Sequence, residues 1–367
     1  MKLLVLAQTP PPVHGQSMMV RALLDTLAGD PEFPVHHLDF RLSTDHTDIG
    51  RWRPGKILRT FAFAVRAVVA RFRHGCDTLY YVPAPPGKRG ALYRDWIVLA
   101  LCRPFFRRLV LHWQAGGLAL WLQTGVHPLE RAISARLYGR ATLAIVLAAG
   151  LRPDAELLRA RTIAIVANGL ADPGEPPPAA ANEPPHQALF LALCSEEKGL
   201  FAAAEAVIAA NARRGAPAAT PAFTLVAAGP FPDARTEARF AALVAAHPRV
   251  LRYAGFAGPA EKRALFAASR CLLFPTRYPA ETFSLVALEA LAHDRPVVAT
   301  RWRGLPEIVS PDCGRIVDVG NAAGLVDALV AVCTDPPPAG VCRARFLREF
   351  TIGRHADRLR AALRSIA

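Results

Sequence analysis

With 367 residues, 52% of them hydrophobic and 20% charged, the chain exceeds what one core usually supports, and its composition is that of a soluble two-domain enzyme. The formal charge of +14, from 44 lysines and arginines against 30 acids, leaves an anionic partner open. Only Lys2, Lys56, Lys88, Lys198 and Lys262 are lysines, so the arginine excess equally suits a GC-rich genome; the charge is dispersed and no zinc, RRM or helix-turn-helix signature is present, which leaves nucleic-acid binding a remote alternative.

The first apolar run, residues 3–7, is too short for a signal core and meets Pro10-Pro11-Pro12, so it reads as a buried strand. Gly15, His14, Gln16 and Ser17 follow in the first strand-to-helix turn, where Ser17 either touches ligand or caps the helix through Met18, Val20 and Leu23. Residues 51–73 place Ile57, Phe61, Val65, Val68 and Phe72 at near-helical spacing among Lys56, Arg59, Arg66, Arg71 and Arg73. Such a helix either packs its apolar face on the sheet or rests on anionic lipid. Further strands are expected at 78–82, 108–113, 143–147 and 162–166, with His112 and Gln114 at the end of one and Asn168-Gly169 after another. Strands alternating with helices predict an α/β domain with a doubly wound parallel sheet.

Six prolines between Leu170 and Pro185 exclude a helix or central strand and mark a linker. Strands are expected again at 188–193, 223–227, 250–253, 271–274 and 297–300, and a helix over 343–366. The expected organisation is therefore a first domain over 1–170, a linker over 171–186, a second domain over 187–345 and a terminal segment over 346–367. The seven cysteines are scattered without a C-x-x-C pair, as in a reduced, cytoplasmic protein, and no charge-free apolar run reaches the ~18 residues of a membrane span.

The segment FPTRYPAETFSLVALEALAHDRPVVATRWRGLPEIV, residues 274–309, places Glu281 and Glu289 with seven residues between them around a strand, a loop and an apolar helix with Ser284 as N-cap. Free amides and the positive helix end at the carboxyl edge of a strand suit a pyrophosphate. This segment resembles the signature of retaining glycosyltransferases of family 4. The resemblance implies GT-B architecture: two Rossmann-like domains facing a central cleft, the last helix crossing back to the first domain. It implies that Glu281 faces the transferred sugar, Glu289 holds the ribose, and Lys198, in the turn Ser195-Glu196-Glu197-Lys198-Gly199, meets the pyrophosphate. Thr282, Phe283, Ser284, Leu285, Gly229 and Gly15 would complete the donor site. His112 would meet the sugar or the charge developing at its anomeric carbon, and His14, Gln16, Ser17 and Gln114 would lie on the acceptor side.

The sequence departs from the family where an arginine would form a second phosphate clamp; Leu193 stands there, with Arg277 and Arg303 as candidate substitutes. Thr282 and Ser284 stand where glycines are frequent, Asp294 precedes Arg295-Pro296 in place of another, and Arg303 replaces the first of two before Leu305-Pro306-Glu307. The implied reaction moves a hexose from a UDP- or GDP-sugar to a glycan or lipid-linked saccharide in cell-surface polysaccharide or lipopolysaccharide synthesis, with retention, without metal or cofactor. The enzyme would be cytoplasmic or peripheral on the inner membrane face. A sugar-nucleotide epimerase or a phosphorylase of the same fold is the alternative.

Overall fold

The computed structural model describes residues 1–11, 15–40, 54–176, 185–215, 217 and 219–367, which form two units. His14 and residues 51–53 lie outside the described residues. The first unit comprises 1–168 and 355–367, the second 169–354.

In the first unit, β1 (Leu3–Ala7), α1 (Gly15–Leu27), β2 (Val35–Asp39), α2 (Pro54–His74), β3 (Thr78–Tyr81) and α3 (Arg89–Cys102) are followed by β4 (Arg108–His112), α4 (Leu118–Thr124), α5 (Pro128–Tyr138), β5 (Leu143–Val146), α6 (Arg152–Leu157) and β6 (Thr162–Ile165). The sheet is parallel with order β2-β1-β3-β4-β5-β6, Leu4 pairing His36 on one side and Leu79 on the other. Every residue of β1, β3 and β5 is buried, which is why these strands read as unbroken apolar runs.

The second unit repeats the plan. It contains β7 (His186–Leu191), α7 (Leu200–Arg213), β8 (Phe223–Ala228), α8 (Ala234–Ala246), β9 (Leu251–Tyr253), α9 (Pro259–Ala268), β10 (Cys271–Phe274), α10 (Leu285–Ala292), β11 (Val297–Thr300), α11 (Leu305–Ile308), β12 (Gly314–Val317), α12 (Ala322–Thr334) and α13 (Val341–Glu349). Its parallel sheet runs β12-β11-β10-β7-β8-β9. Strand order reverses between β1 and β3 in the first sheet and between β7 and β10 in the second, and the carboxyl ends at such reversals are where open α/β sheets bind ligands.

The last helix, α14 (Ile352–Arg364), contributes Leu359, Ala362 and Leu363 to the core built on Leu3, Val5, Tyr80 and Val110 of the first unit. Burying two leucines is worth about 1.5–3 kcal/mol each. Arg360 adds a 2.9 Å bond to Asp30 and a 2.8 Å bond to the Thr26 carbonyl. The return of the chain is thus a packed element, joining the first unit at His355 rather than at 346; α13 and Phe350 stay with the second unit, where Phe350 meets Phe283 edge-on at 5.9 Å. Next to the crossing, Leu170 donates to the Phe350 carbonyl and accepts from Ile352, at 2.9 and 2.8 Å.

One expectation about α2 is corrected. Its packed face is Thr60, Phe63, Ala64, Ala67 and Ala70, whereas Phe61, Val65 and Phe72 of the expected core stripe are exposed. Small residues let the helix lie close to α3 and β1, and the large ones are left outside.

Candidate active site

The turns after β7 and β10, at the reversal of the second sheet, are held against each other by main-chain bonds. Arg277 donates its amide to the Glu197 carbonyl at 2.7 Å, and the Thr276 hydroxyl reaches the same oxygen at 3.3 Å. Gly199 makes the approach feasible: its φ is +90°, and a Cβ there would stand 2.3 Å from the Pro275 carbonyl oxygen. Gly229, φ +130°, lets the turn after β8 close on the Ala192 carbonyl, where a Cβ would come within 1.8 Å. Gly199→Ala is expected to cost about 1–3 kcal/mol by forcing the turns apart. Denaturant melts check this, and a variant of wild-type stability would contradict the close approach.

Within these turns Lys198 and Glu281 form an ion pair, Nζ to Oε2 at 2.6 Å, with side chains only 18% and 10% exposed. The Lys198 amide donates to Ser195 Oγ at 3.2 Å, and its ammonium lies 4.5 Å from the centre of the Tyr278 ring. Burial pushes the Tyr278 phenol above its ordinary pKa. Thr282, Phe283 and Ser284 are buried beside Glu281, and Ser284 caps α10, its hydroxyl accepting from the Ala287 amide at 3.4 Å. The turn after β11 braces this loop: Trp302 Nε1 donates to the Tyr278 carbonyl at 2.8 Å and the Gly304 amide to the Thr282 carbonyl at 3.0 Å.

Glu289 lies on α10, about one and a half turns past the cap, with both carboxylate oxygens on Lys262 Nζ at 2.9 and 3.1 Å. This lysine of α9 was not singled out by the sequence, because α9 lies outside the motif; only the fold brings it to the carboxylate. Of the candidate clamp residues, Arg277 is bonded to Glu196 at 3.3 Å, and Arg303, at φ +50°, donates to the Pro279 carbonyl at 3.3 Å. Arg277 therefore ties the loop that carries Glu281 to the turn after β7, and Arg303 attaches to that loop from the turn after β11. Leu193 is 39% exposed in the turn after β7. The structure thus assembles Lys198, Glu281, Thr282, Phe283, Ser284, Leu285, Glu289 and Gly229 at one edge of one sheet.

The remaining described candidates lie at the carboxyl edge of the first sheet. Gly15 opens α1, Gln16 follows it, and Ser17 is fully buried inside the first turn, so it is not the cap of that helix. His112 ends β4 and is 2% exposed. Its Nδ1 meets the Tyr80 hydroxyl at 2.5 Å and its Nε2 the Gln114 amide nitrogen at 2.9 Å. With that amide donating, Nε2 is the acceptor and the ring proton sits on Nδ1. A ligand hydroxyl reaching Nε2 would replace Gln114. The loop from 113 to 117 is held by Asp154, whose carboxylate accepts from the Gly117 and Ala119 amides at 2.8 and 2.7 Å. Trp113 packs on Tyr138 instead of His112, with ring centres 5.5 Å apart.

Burial, reinforced by nearby His355, pushes the His112 pKa down to about 3. The folded ring stays neutral while the unfolded chain, with an ordinary value near 6.5, takes up a proton first as pH falls. Its contribution to stability is full above that range and is lost toward pH 3, at up to about 1.4 kcal/mol per unit. Burial lowers His36, His186, His293 and His355 in the same direction. Stability is expected to decline below pH 6.5, less steeply in His112→Gln, as measured by denaturant melts at stepped pH; equal slopes would contradict the assignment.

Residues 185–335 match the family model described as Glycosyl transferases group 1. The MMP alpha-(1->4)-mannosyltransferase of Mycolicibacterium hassiacum is 43% identical over 74 residues; the matched stretch spans 20% of this chain and only 16% of that relative's length. Among solved structures, sucrose-phosphate synthase from Thermosynechococcus elongatus superposes with a TM-score of 0.72 at 17% identity, over 100% of this chain and 99% of that one. The lipopolysaccharide outer core galactosyltransferase WaaB gives 0.73 at 13% identity over 100% of both chains, and HepE from Anabaena, solved with UDP and glucose, 0.66 at 17% over 100% of both. These similarities define the fold as GT-B. Fold and matched domain together define the class, a glycosyltransferase. The stretch that matches the family model lies within the second unit and includes Lys198, Glu281 and Glu289.

Proposed function

We propose that the protein is a retaining, metal-independent glycosyltransferase that moves a hexose from a nucleoside diphosphate sugar to a hydroxyl of a saccharide or lipid-linked saccharide in cell-surface polysaccharide or lipopolysaccharide assembly. The observation that carries this reading is the Lys198–Glu281 pair at the reversal of the second sheet, beside the buried Thr282 to Ser284 turn and the first amides of α10. In the absence of donor, the carboxylate neutralises the ammonium. An arriving diphosphate competes for Lys198, which then stabilises the leaving group as a point charge together with the amides of the cap.

Released from that contact, Glu281 orients the sugar and stabilises positive charge at the anomeric carbon. Glu289, held in place by Lys262, takes the ribose hydroxyls. Retention follows from attack on the face that the diphosphate leaves, with a phosphate oxygen taking the acceptor proton, so no protein nucleophile is required. The bond from the anomeric carbon to the diphosphate oxygen breaks, the bond to the acceptor oxygen forms, and the nucleoside diphosphate departs. UDP and glucose in the HepE structure and the mannosyltransferase similarity support a nucleotide-sugar donor without choosing its base or sugar.

The test is nucleotide release from UDP-, GDP- and ADP-hexoses, with and without acceptor glycans and chelator, followed by NMR of the product's anomeric signal. Acceptor-dependent, chelator-insensitive release with a retained configuration is expected. Conversion of the sugar nucleotide without acceptor would favour the epimerase, dependence on inorganic phosphate the phosphorylase, and an inverted product would overturn the mechanism.

A further inference from the structure

The outer face of α2 is apolar and has no partner among the described residues. Leu58, Phe61, Val65, Val69 and Phe72 are 71%, 49%, 45%, 57% and 64% exposed, at spacings of three and four that put them on one side of the helix. Phe105, 46% exposed after α3, meets Phe72 edge-on at 6.0 Å and lengthens the stripe. The opposite face is the one that packs: Phe63 stacks on Phe40 at 4.2 Å, and the Cys102 thiol donates to the Ala64 carbonyl at 3.6 Å. Soluble proteins expose large apolar residues singly, and a continuous row of them marks an interaction surface.

Charge identifies the partner. Arg59, Arg66 and Arg73 recur every seven residues and so line one flank of the stripe, all of them exposed. Arg71 lies over the Phe72 ring at 5.6 Å and the Phe106 ring at 5.8 Å. Neither residues 54–74 nor residues 103–108 contain an aspartate or glutamate. A helix that is convex, apolar at its crest and basic on its flank matches the boundary of an anionic bilayer, where apolar side chains enter the acyl region and guanidinium groups stay with the phosphates. No helix among the described residues is long and apolar enough to cross a membrane, so the contact is one of lying on the surface.

We propose that α2, extended by Phe105, is a membrane-docking helix that rests on anionic phospholipid. The inference deepens the acceptor reading, for which it supplies a surface where a lipid-linked saccharide is met, and it rests on that reading only in this respect; the stripe and its arginines stand apart from the donor site.

The experiment is co-sedimentation of the full chain with vesicles of phosphatidylcholine alone or mixed with phosphatidylglycerol. Phe61→Ser/Phe72→Ser and Arg59→Gln/Arg66→Gln/Arg73→Gln are compared with wild type, and nucleotide-dependent thermal stabilisation is recorded on the same samples. Wild type is expected to bind only the mixed vesicles. The arginine variant should bind on the order of 100-fold more weakly, the phenylalanine variant should lose binding, and nucleotide stabilisation should be unchanged in both. The proposal is overturned by absence of binding to mixed vesicles, by equal binding to both compositions, or by a dimer seen in light scattering that the phenylalanine variant dissolves, since a second copy would then be the occupant. Failure of nucleotide stabilisation in wild type, with vesicle binding intact, would instead strike the donor-site reading.

Discussion

Glu281→Gln is expected to lower kcat on the order of 100- to 1,000-fold while leaving nucleotide affinity at or slightly above that of wild type. The substitution keeps the shape and the hydrogen-bond acceptor that faces Lys198 at 2.6 Å, and removes only the charge. A neutral amide no longer stabilises the cationic character that develops at the anomeric carbon. It also no longer competes with the diphosphate for the ammonium, so binding is not weakened. Steady-state kinetics with isothermal titration of the nucleoside diphosphate separates these terms. A kcat within a few fold of wild type would remove Glu281 from the chemistry.

Lys198→Met is expected to act on binding and turnover together, reducing kcat/KM for the donor on the order of 100- to 1,000-fold. The variant loses the point charge for the leaving diphosphate and leaves the Glu281 carboxylate, 10% exposed, without its cation. An uncompensated, largely buried charge costs stability, here about 1–3 kcal/mol after allowance for the remaining solvent contact. The double variant Lys198→Met/Glu281→Gln should recover that stability without recovering activity. Denaturant melts and donor kinetics on the three proteins test both halves; additive losses of stability would show that the pair is not coupled.

Much of this site was legible because its residues are close in sequence. Glu281, the Ser284 cap and Glu289 fall within nine consecutive positions, so a strand-loop-helix reading places them correctly from local rules alone. The buried strands were equally plain, since strands covered on both faces are written as apolar runs. The two strands that escaped, β2 and β12, are the edges of their sheets: β2 reads Val-His-His-Leu-Asp with every residue half-buried, and β12 opens on a glycine and exposes Arg315. At these two of the four sheet edges, contact with solvent leaves the strand without an unbroken apolar run.

Contacts made by the fold were not legible. Lys262 meets Glu289 from across 27 positions, and the ring of Tyr278 lies under Lys198 from across 80. In α2 the period was read correctly, and of the two directions left open for the stripe the inward one fails. A helix with alanines on one side and leucine, valine and phenylalanine on the other hides the alanines when it must lie close to its neighbours, and hydrophobicity alone points the opposite way.

The central claim is that the edge of the second sheet grips a nucleoside diphosphate sugar. It is tested most directly by thermal-shift titration with UDP, GDP, ADP and their sugar conjugates, with and without chelator, on wild type and Glu289→Ala. The account predicts chelator-insensitive stabilisation by one nucleotide series, lost or much reduced in the variant, which would identify the base and place the ribose on Glu289. Stabilisation by none of them, or equal stabilisation of both proteins, would contradict it.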